Sequence, residues 1–310
     1  MNHPINLPAL AYVGKEKSKL TLHLFLQIIG KIRLGQTARK NHWWYITEYI
    51  STRGLTTGPV PYDNGTKNFT ITLNVLRHTL EVENTEGAQD SFDLAPGLTV
   101  ADFYRQLTGI LEKQEITYDI LAKPFDLKGI DQGFDQITDY HHYDPDYTFR
   151  LWKILTWIDA VFKEFSGRFY GKTCPVHLYW HSMDLTVTRF SGREAPPMPE
   201  DARISDKDAY SHEVISFGFW PGDDTVKEPA FYSYTYPSPE GLDQEPISPA
   251  SAEWVDNNGS PMAYLGYADL LKEKDPRSAL LAFLETSYQA GAKLAGWDLE
   301  HFTVKDLEAL

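Results

Sequence analysis

Three groups of residues in this chain have types and spacings that suit chemistry. His23, Gln27 and Lys31 recur at i, i+4 and i+8, which one face of a helix brings into line. Such a stripe either faces solvent or lines a site, and a His–Gln pair is less typical of solvent than Glu and Lys. The second group is HLYWHSMDLTVTRFSGR, residues 177–193. Strand alternation puts Leu185, Val187 and Arg189 on one side, with Asp184, Thr186 and Thr188 on the other. A guanidinium among aliphatic side chains must be paired. Its partner is an internal carboxylate or the anionic group of a ligand held by two parallel hydrogen bonds. Arg193 and Arg53 raise the same question. The third group is the histidines His42, His177, His181 and His212, the last followed by Glu213. An imidazole titrates near neutral pH and suits general acid–base work.

These groups suggest a pocket between the first helix and two histidine-aromatic strands. There Arg53, Arg189 and Lys31 would hold a small anionic molecule, and His42 or His177 would move protons. Asp184 or Glu213 would fix the tautomer, and His23, Gln27, Trp180, Arg193 and His212 would complete the lining. Two other readings stand beside this enzyme or binder: a non-catalytic sensor or protein-interaction module, and a histidine-based metalloenzyme. For a metal, His177 and His181 are about 13 Å apart along a strand, so ligands must come from several strands, such as His42, His177, His212 and Glu213. Nothing in the spacing enforces that, and neither a metal nor another cofactor is predicted. The chain has no Gly-rich phosphate loop, GxGxxG, GxSxG or HExxH, which weighs against nucleotide-dependent and common hydrolase chemistry. Tyr232, Tyr234 and Tyr236 share one strand face and either wall a pocket with Phe219–Trp220 or pack the sheet.

Periodicity supplies the elements that must position these residues. Helices are expected at Leu20–Leu34, from Thr99 with Asp102 as a capping box, and after the Asp144–Pro145 and Asp275–Pro276 pairs. Strands are expected over 41–61, at 69–75 with 79–83 as a hairpin, at 116–121, over 176–190 as one long or bent strand, at 211–220 and at 231–236. The last, between Pro229 and Pro237, reads as an edge. Residues 237–262 read as a Pro/Gly-rich excursion. Gly30–Lys31, His42–Trp44 and Thr52–Arg53 are echoed by Gly171–Lys172, His177–Trp180 and Thr188–Arg189, which would make halves of 19–125 and 144–297. The expected fold is α+β, a mainly antiparallel sheet packed by long helices, with a lead-in over 1–18, one unit over 19–300 and a tail over 301–310.

Composition narrows the partners. With 8 Trp, 18 Tyr and 16 Phe in 310 residues, the chain is too aromatic for a disordered segment. A net charge of −14 repels phosphate backbones and anionic lipid, so neither nucleic acid nor a membrane surface is an expected partner. The single Cys174 forms no intrachain disulfide and suits a reducing, cytoplasmic setting as a buried thiol. No apolar run is long enough for a membrane helix, and the N-terminus lacks the pattern of a secretory signal.

Taken in order, the blocks LHLFLQIIGKIRL, NHWW, STRGLTTGPVP, YDPDYTFRLWKIL, CPVHLYWHSMDLTVTRFSGREAPP, AYSHEVISFGFWPG, AFYSYTYP and LETSYQAGAKLAGWD resemble a bacterial family catalogued as a domain of unknown function. The resemblance covers roughly residues 18–300 and implies one family unit rather than two fused domains. It brings no reaction, cofactor or substrate. His23, Gln27, Lys31, Asn41, His42, Trp43, Arg53, Asp144, His177, Trp180, Asp184, Arg189, Arg193, His212 and Glu213 lie inside the matching blocks. His181 sits where the family pattern resembles a smaller residue.

Overall fold

The expected capping devices start the helices. Thr99 accepts the Asp102 N–H, and Asp144 and Asp275 accept N–H groups of the first turns that Pro145 and Pro276 open. These side chains satisfy N–H groups that the helix itself cannot. The computed structural model describes residues 6–305. Its helices are α1 (Glu16–Gln36), α2 (Val100–Lys113), α3 (Pro145–Gly167), α4 (Ile204–Ala209), α5 (Tyr267–Leu270), α6 (Pro276–Leu294) and α7 (Leu299–Phe302). The outermost residues of the lead-in and tail, 1–5 and 306–310, lie outside the described residues. No helix among those described is long and apolar enough to cross a membrane.

The fold is α+β with two antiparallel sheets. The first holds β1 (Tyr49–Ile50), β2 (Gly54–Thr56), β3 (Val60–Tyr62), β4 (Lys67–Asn74), β5 (Thr79–Asn84) and β6 (Gln89–Asp93). Its order is β1-β2-β4-β5-β6, with β3 also paired to β4. The second holds β7 (His177–Tyr179), β8 (Asp184–Glu194), β9 (His212–Trp220), β10 (Ala230–Tyr236), β11 (Glu253–Asn257) and β12 (Ser260–Gly266), in the order β11-β12-β10-β9-β8-β7. A backbone bridge from Glu48 to Leu178 joins the two.

Every residue of α1 from Thr21 to Arg33 is buried. A helix enclosed on all sides needs an internal partner for each polar side chain. Trp180 packs where Gly30 has no side chain, and a Cβ there would overlap the indole.

Several expectations are corrected. Residues 116–121 form no strand, and 41–43 form a single 3-10 turn rather than the start of one. The long or bent strand expected over 176–190 is a hairpin, β7–β8, turning through Met183 at φ 63°. β10 is an interior strand between β9 and β12 rather than an edge, because the 237–262 excursion ends in a further hairpin. That hairpin turns at Asn258–Gly259, both at positive φ, the pair that a tight right-twisting turn favours. The echoed motifs occupy unlike places. Gly30–Lys31 is mid-helix and Gly171–Lys172 follows the end of α3, while Arg53 is in a bend and Arg189 is inside β8.

Cross-strand partners share a face, so the register sorts the second sheet into two surfaces. One row reads Leu178–Leu185–Phe219–Phe231–Leu265 and belongs to the face covered by α3 and α6. The neighbouring row, on the opposite face, reads His177–Thr186–Gly218–Tyr232–Tyr264–Glu253. That polar and aromatic face carries the candidate site.

Candidate functional site

The basic residues expected to form an anion pocket are each engaged elsewhere. The buried Arg189 lies 3.5 Å from the Phe165 ring centroid and 4.3 Å from that of Tyr288. It donates to the Phe165 carbonyl at 2.5 Å and meets Glu285 at 3.5 Å. Burial pulls its pKa down to about 10, which the facing Glu285 partly opposes. Arg193 pairs with Glu213 at 2.7 Å and donates to the Ala295 carbonyl at the end of α6. Glu213 is therefore a structural partner of Arg193 rather than an orienter of histidine. Arg53 sits on the first sheet between Glu81 (3.0 Å) and Glu83 (3.1 Å).

The α1 stripe holds a loop. Gln27 grips residue 125 at two points, accepting the Phe125 N–H at 2.7 Å and donating to its carbonyl at 3.0 Å. Its amide also lies 3.3 Å from His23 Nε2, and Lys31 donates to the Leu121 carbonyl at 3.1 Å. Burial drives His23 down to about pKa 3, so the ring is neutral. Trp180 is buried against Gly30.

His42 and His177 do not share a hydrogen-bonded dyad. His177 is 1% exposed, and neither ring nitrogen has a hydrogen-bond partner among the described residues. Burial takes it to about pKa 3, with the Arg33 charge acting in the same direction. Glu48 is as buried, both its oxygens lack a hydrogen-bond partner among the described residues, and burial pushes its carboxyl well above the usual range. The Arg33 guanidinium donates instead to the Tyr45 and Thr57 carbonyls. His42 lies on the far side of Tyr179, whose O–H donates to the His42 carbonyl. The His212 ring stands 5.6 Å from that of His42, with its Nδ1 3.1 Å from Ser211 Oγ. Among the described residues no group of three or more His, Cys, Asp or Glu could hold a metal ion.

The polar face of the second sheet opens into a cleft of about 970 Å³. Trp220, Tyr232, Tyr234 and Tyr264 supply its aromatic lining. The Tyr232 ring lies over Gly218, where a Cβ would collide with it. Asp184, Asp223, Glu228, Glu253 and Asp256 line the cleft against a single Lys227. None of these five carboxylates is within ion-pair distance of a basic side chain among the described residues, although twenty such contacts occur elsewhere. Asp184 accepts from the Tyr232 O–H at 2.5 Å and from Ser182; Glu228 accepts from the Tyr264 O–H at 2.6 Å. Burial first, then these carboxylates, push both phenols above their usual range. The Trp220 N–H is buried with no acceptor among the described residues.

Asp184 thus serves a tyrosine rather than an imidazole. Asp223, Glu228, Glu253 and Asp256 were not singled out by sequence reasoning. The cue for the first two was the acidic stretch PGDDTVKEP after Trp220; the cue for the others was the Asn258–Gly259 turn that folds their hairpin back.

Fold and site together define an α+β protein of two antiparallel sheets, one carrying an acidic, aromatic-walled cleft. The chain belongs to a family of unknown function, DUF5996, whose model matches residues 7–304. No curated protein and no solved structure matches it.

Proposed function

We propose that this protein binds a small cationic molecule in the cleft of the second sheet. The observation that carries the reading is the set of five carboxylates beside Trp220, Tyr232, Tyr234 and Tyr264, none within ion-pair distance of a basic side chain among the described residues. Carboxylates gathered in a concave surface concentrate cations, and aromatic faces attract them through the ring quadrupole. Raised phenol pKa values keep the tyrosines neutral, so their rings serve as walls and their O–H groups hold Asp184 and Glu228 in place. The free Trp220 N–H suits a ligand that also carries a hydrogen-bond acceptor. This reverses the ligand charge expected from the arginines, because those arginines already face carboxylates.

Calorimetric titration with choline, spermidine and acetate tests the reading. Choline or spermidine should bind, more weakly as salt is raised. Glu253→Gln should cut the affinity about tenfold, roughly 1.4 kcal/mol, with the melting temperature unchanged. Binding of acetate but of neither cation would overturn it.

A further inference from the structure

A second site lies away from the cleft, at Lys172. Its Nζ is 3.1 Å from His42 Nε2, 4.8 Å from the centroid of the Phe190 ring and 5.3 Å from that of Trp44. It has no carboxylate within ion-pair distance among the described residues, in a chain of net charge −14. The tautomer of His42 follows from its surroundings. Its Nδ1 is 3.2 Å from the Ala209 carbonyl, which can only accept, so Nδ1 carries the proton. Nε2 is therefore an acceptor aimed at Lys172.

The backbone holding this imidazole is unusual. His42 and Trp43 are consecutive non-glycine residues at φ 57° and 61°, a region that costs energy and persists only when neighbours enforce it. Here they do. Tyr179 binds the His42 carbonyl, the Trp43 indole donates to the Ser205 carbonyl, and the Ala209 carbonyl holds the ring. Lys172 itself is tied to β8 through its carbonyl, which accepts the Phe190 N–H.

We infer that Lys172 is a nucleophilic amine that forms an imine with a small carbonyl compound, His42 serving as its proton acceptor. The neutral amine gives one N–H to His42 Nε2, which leaves its lone pair directed away from the imidazole. That pair attacks the carbonyl carbon, and the π electrons move to oxygen. His42 carries the two amine protons in turn from nitrogen to the oxygen, the first giving the hydroxyl of a carbinolamine and the second letting that oxygen leave as water while the nitrogen lone pair closes the C=N bond. Amine and carbonyl become imine and water, and no oxidant or reductant is consumed. Burial lowers the pKa of Lys172, and burial and Lys172 together lower that of His42, which favours the neutral form of each. The surrounding groups are mostly basic. Lys40 Nζ lies 5.7 Å from the Trp44 ring centroid and His212 stands beside His42, while Asp208 is paired with Arg39. A carbonyl compound bearing a carboxylate, a 2-oxo acid, fits this charge.

The test is reductive trapping. The full-length protein is incubated with glyoxylate and sodium cyanoborohydride at pH 7, and modified lysines are mapped by peptide mass spectrometry. Lys153 is the internal control, since it also lies over an indole (Trp152, 6.0 Å) but has no imidazole partner. Lys172 should react at least tenfold faster than Lys153, and His42→Gln should abolish that advantage. Equal rates at the two lysines would overturn the proposal. The Lys172-to-Lys153 ratio should be higher with glyoxylate than with acetaldehyde; equal ratios would overturn the oxo-acid class. If His42→Gln does not fold, the wild-type pH profile decides. A half-maximal rate at lower pH for Lys172 than for Lys153 supports the inference, and coincident profiles overturn it.

Discussion

The two faces of the second sheet treat charge in opposite ways. Toward α3 and α6, the sheet encloses Arg189 between Phe165 and Tyr288 and opposite Glu285. On the other face, Asp184, Asp223, Glu228, Glu253 and Asp256 line an open cleft beside Lys227, with no basic side chain of the described residues within ion-pair distance. A desolvated charge must find its counter-ion within the fold, whereas a charge at a wet cleft can wait for one. The difference teaches that the residues most conspicuous in the sequence, arginines set among apolar neighbours, are the ones the fold had to neutralise. The residues left for a ligand sit where water covers the cost.

The largest way to break this comparison is Arg189→Ala. It strips a buried charge and its ring contacts while Glu285 stays, and should cost about 3–5 kcal/mol of stability; denaturant melts read this directly. Binding of choline in the cleft should survive in the fraction that folds. If stability barely changed, Arg189 would not be the structural charge described.

The next effect is on pH. His23 and His177 are held neutral, at about pKa 3, by burial, whereas the unfolded chain returns them to about 6.5. Their folded values are depressed, so at pH below 6.5 the unfolded state binds the extra protons. Stability from these rings is complete above pH 6.5 and falls toward pH 3, at about 1.4 kcal/mol per unit for each ring. Denaturant midpoints from pH 7 to 4 should show that slope, reduced by one ring in His177→Gln. The smallest effect sharpens the comparison from the first sheet. Arg53→Ala removes a half-exposed pair with Glu81 and Glu83 and should cost less than about 1 kcal/mol, with no change in ligand binding.

Local signals in the sequence foretold the helices well, because a cap residue, a proline at the first position and an apolar stripe act within one or two turns. They foretold the α+β class and the apolar side of β8 for the same reason. Pairing was harder to read. Whether β10 lies at an edge depends on a hairpin that starts some twenty residues later and turns on Asn258–Gly259. The cleft was equally hidden, since Asp184, Glu228 and Glu253 come together only through strand register. Tyr232 and Tyr234 were visible as a shared face, but the choice between pocket wall and sheet packing needed the neighbouring strands. For His42 the residue type was suggestive, while its partner Lys172 is 130 positions away.

The lead-in has a consequence for how the chain is made. Tyr12 donates to Asp224, and Tyr267 donates to the Pro8 carbonyl, so residues 8 and 12 dock on segments translated more than two hundred residues later. α1, enclosed on every side, likewise awaits Trp180 from the second half. The surface that Trp180 covers stays open until that residue is made, where it is exposed to holding factors. Releasing the halves as separate products would leave each without part of its own interior.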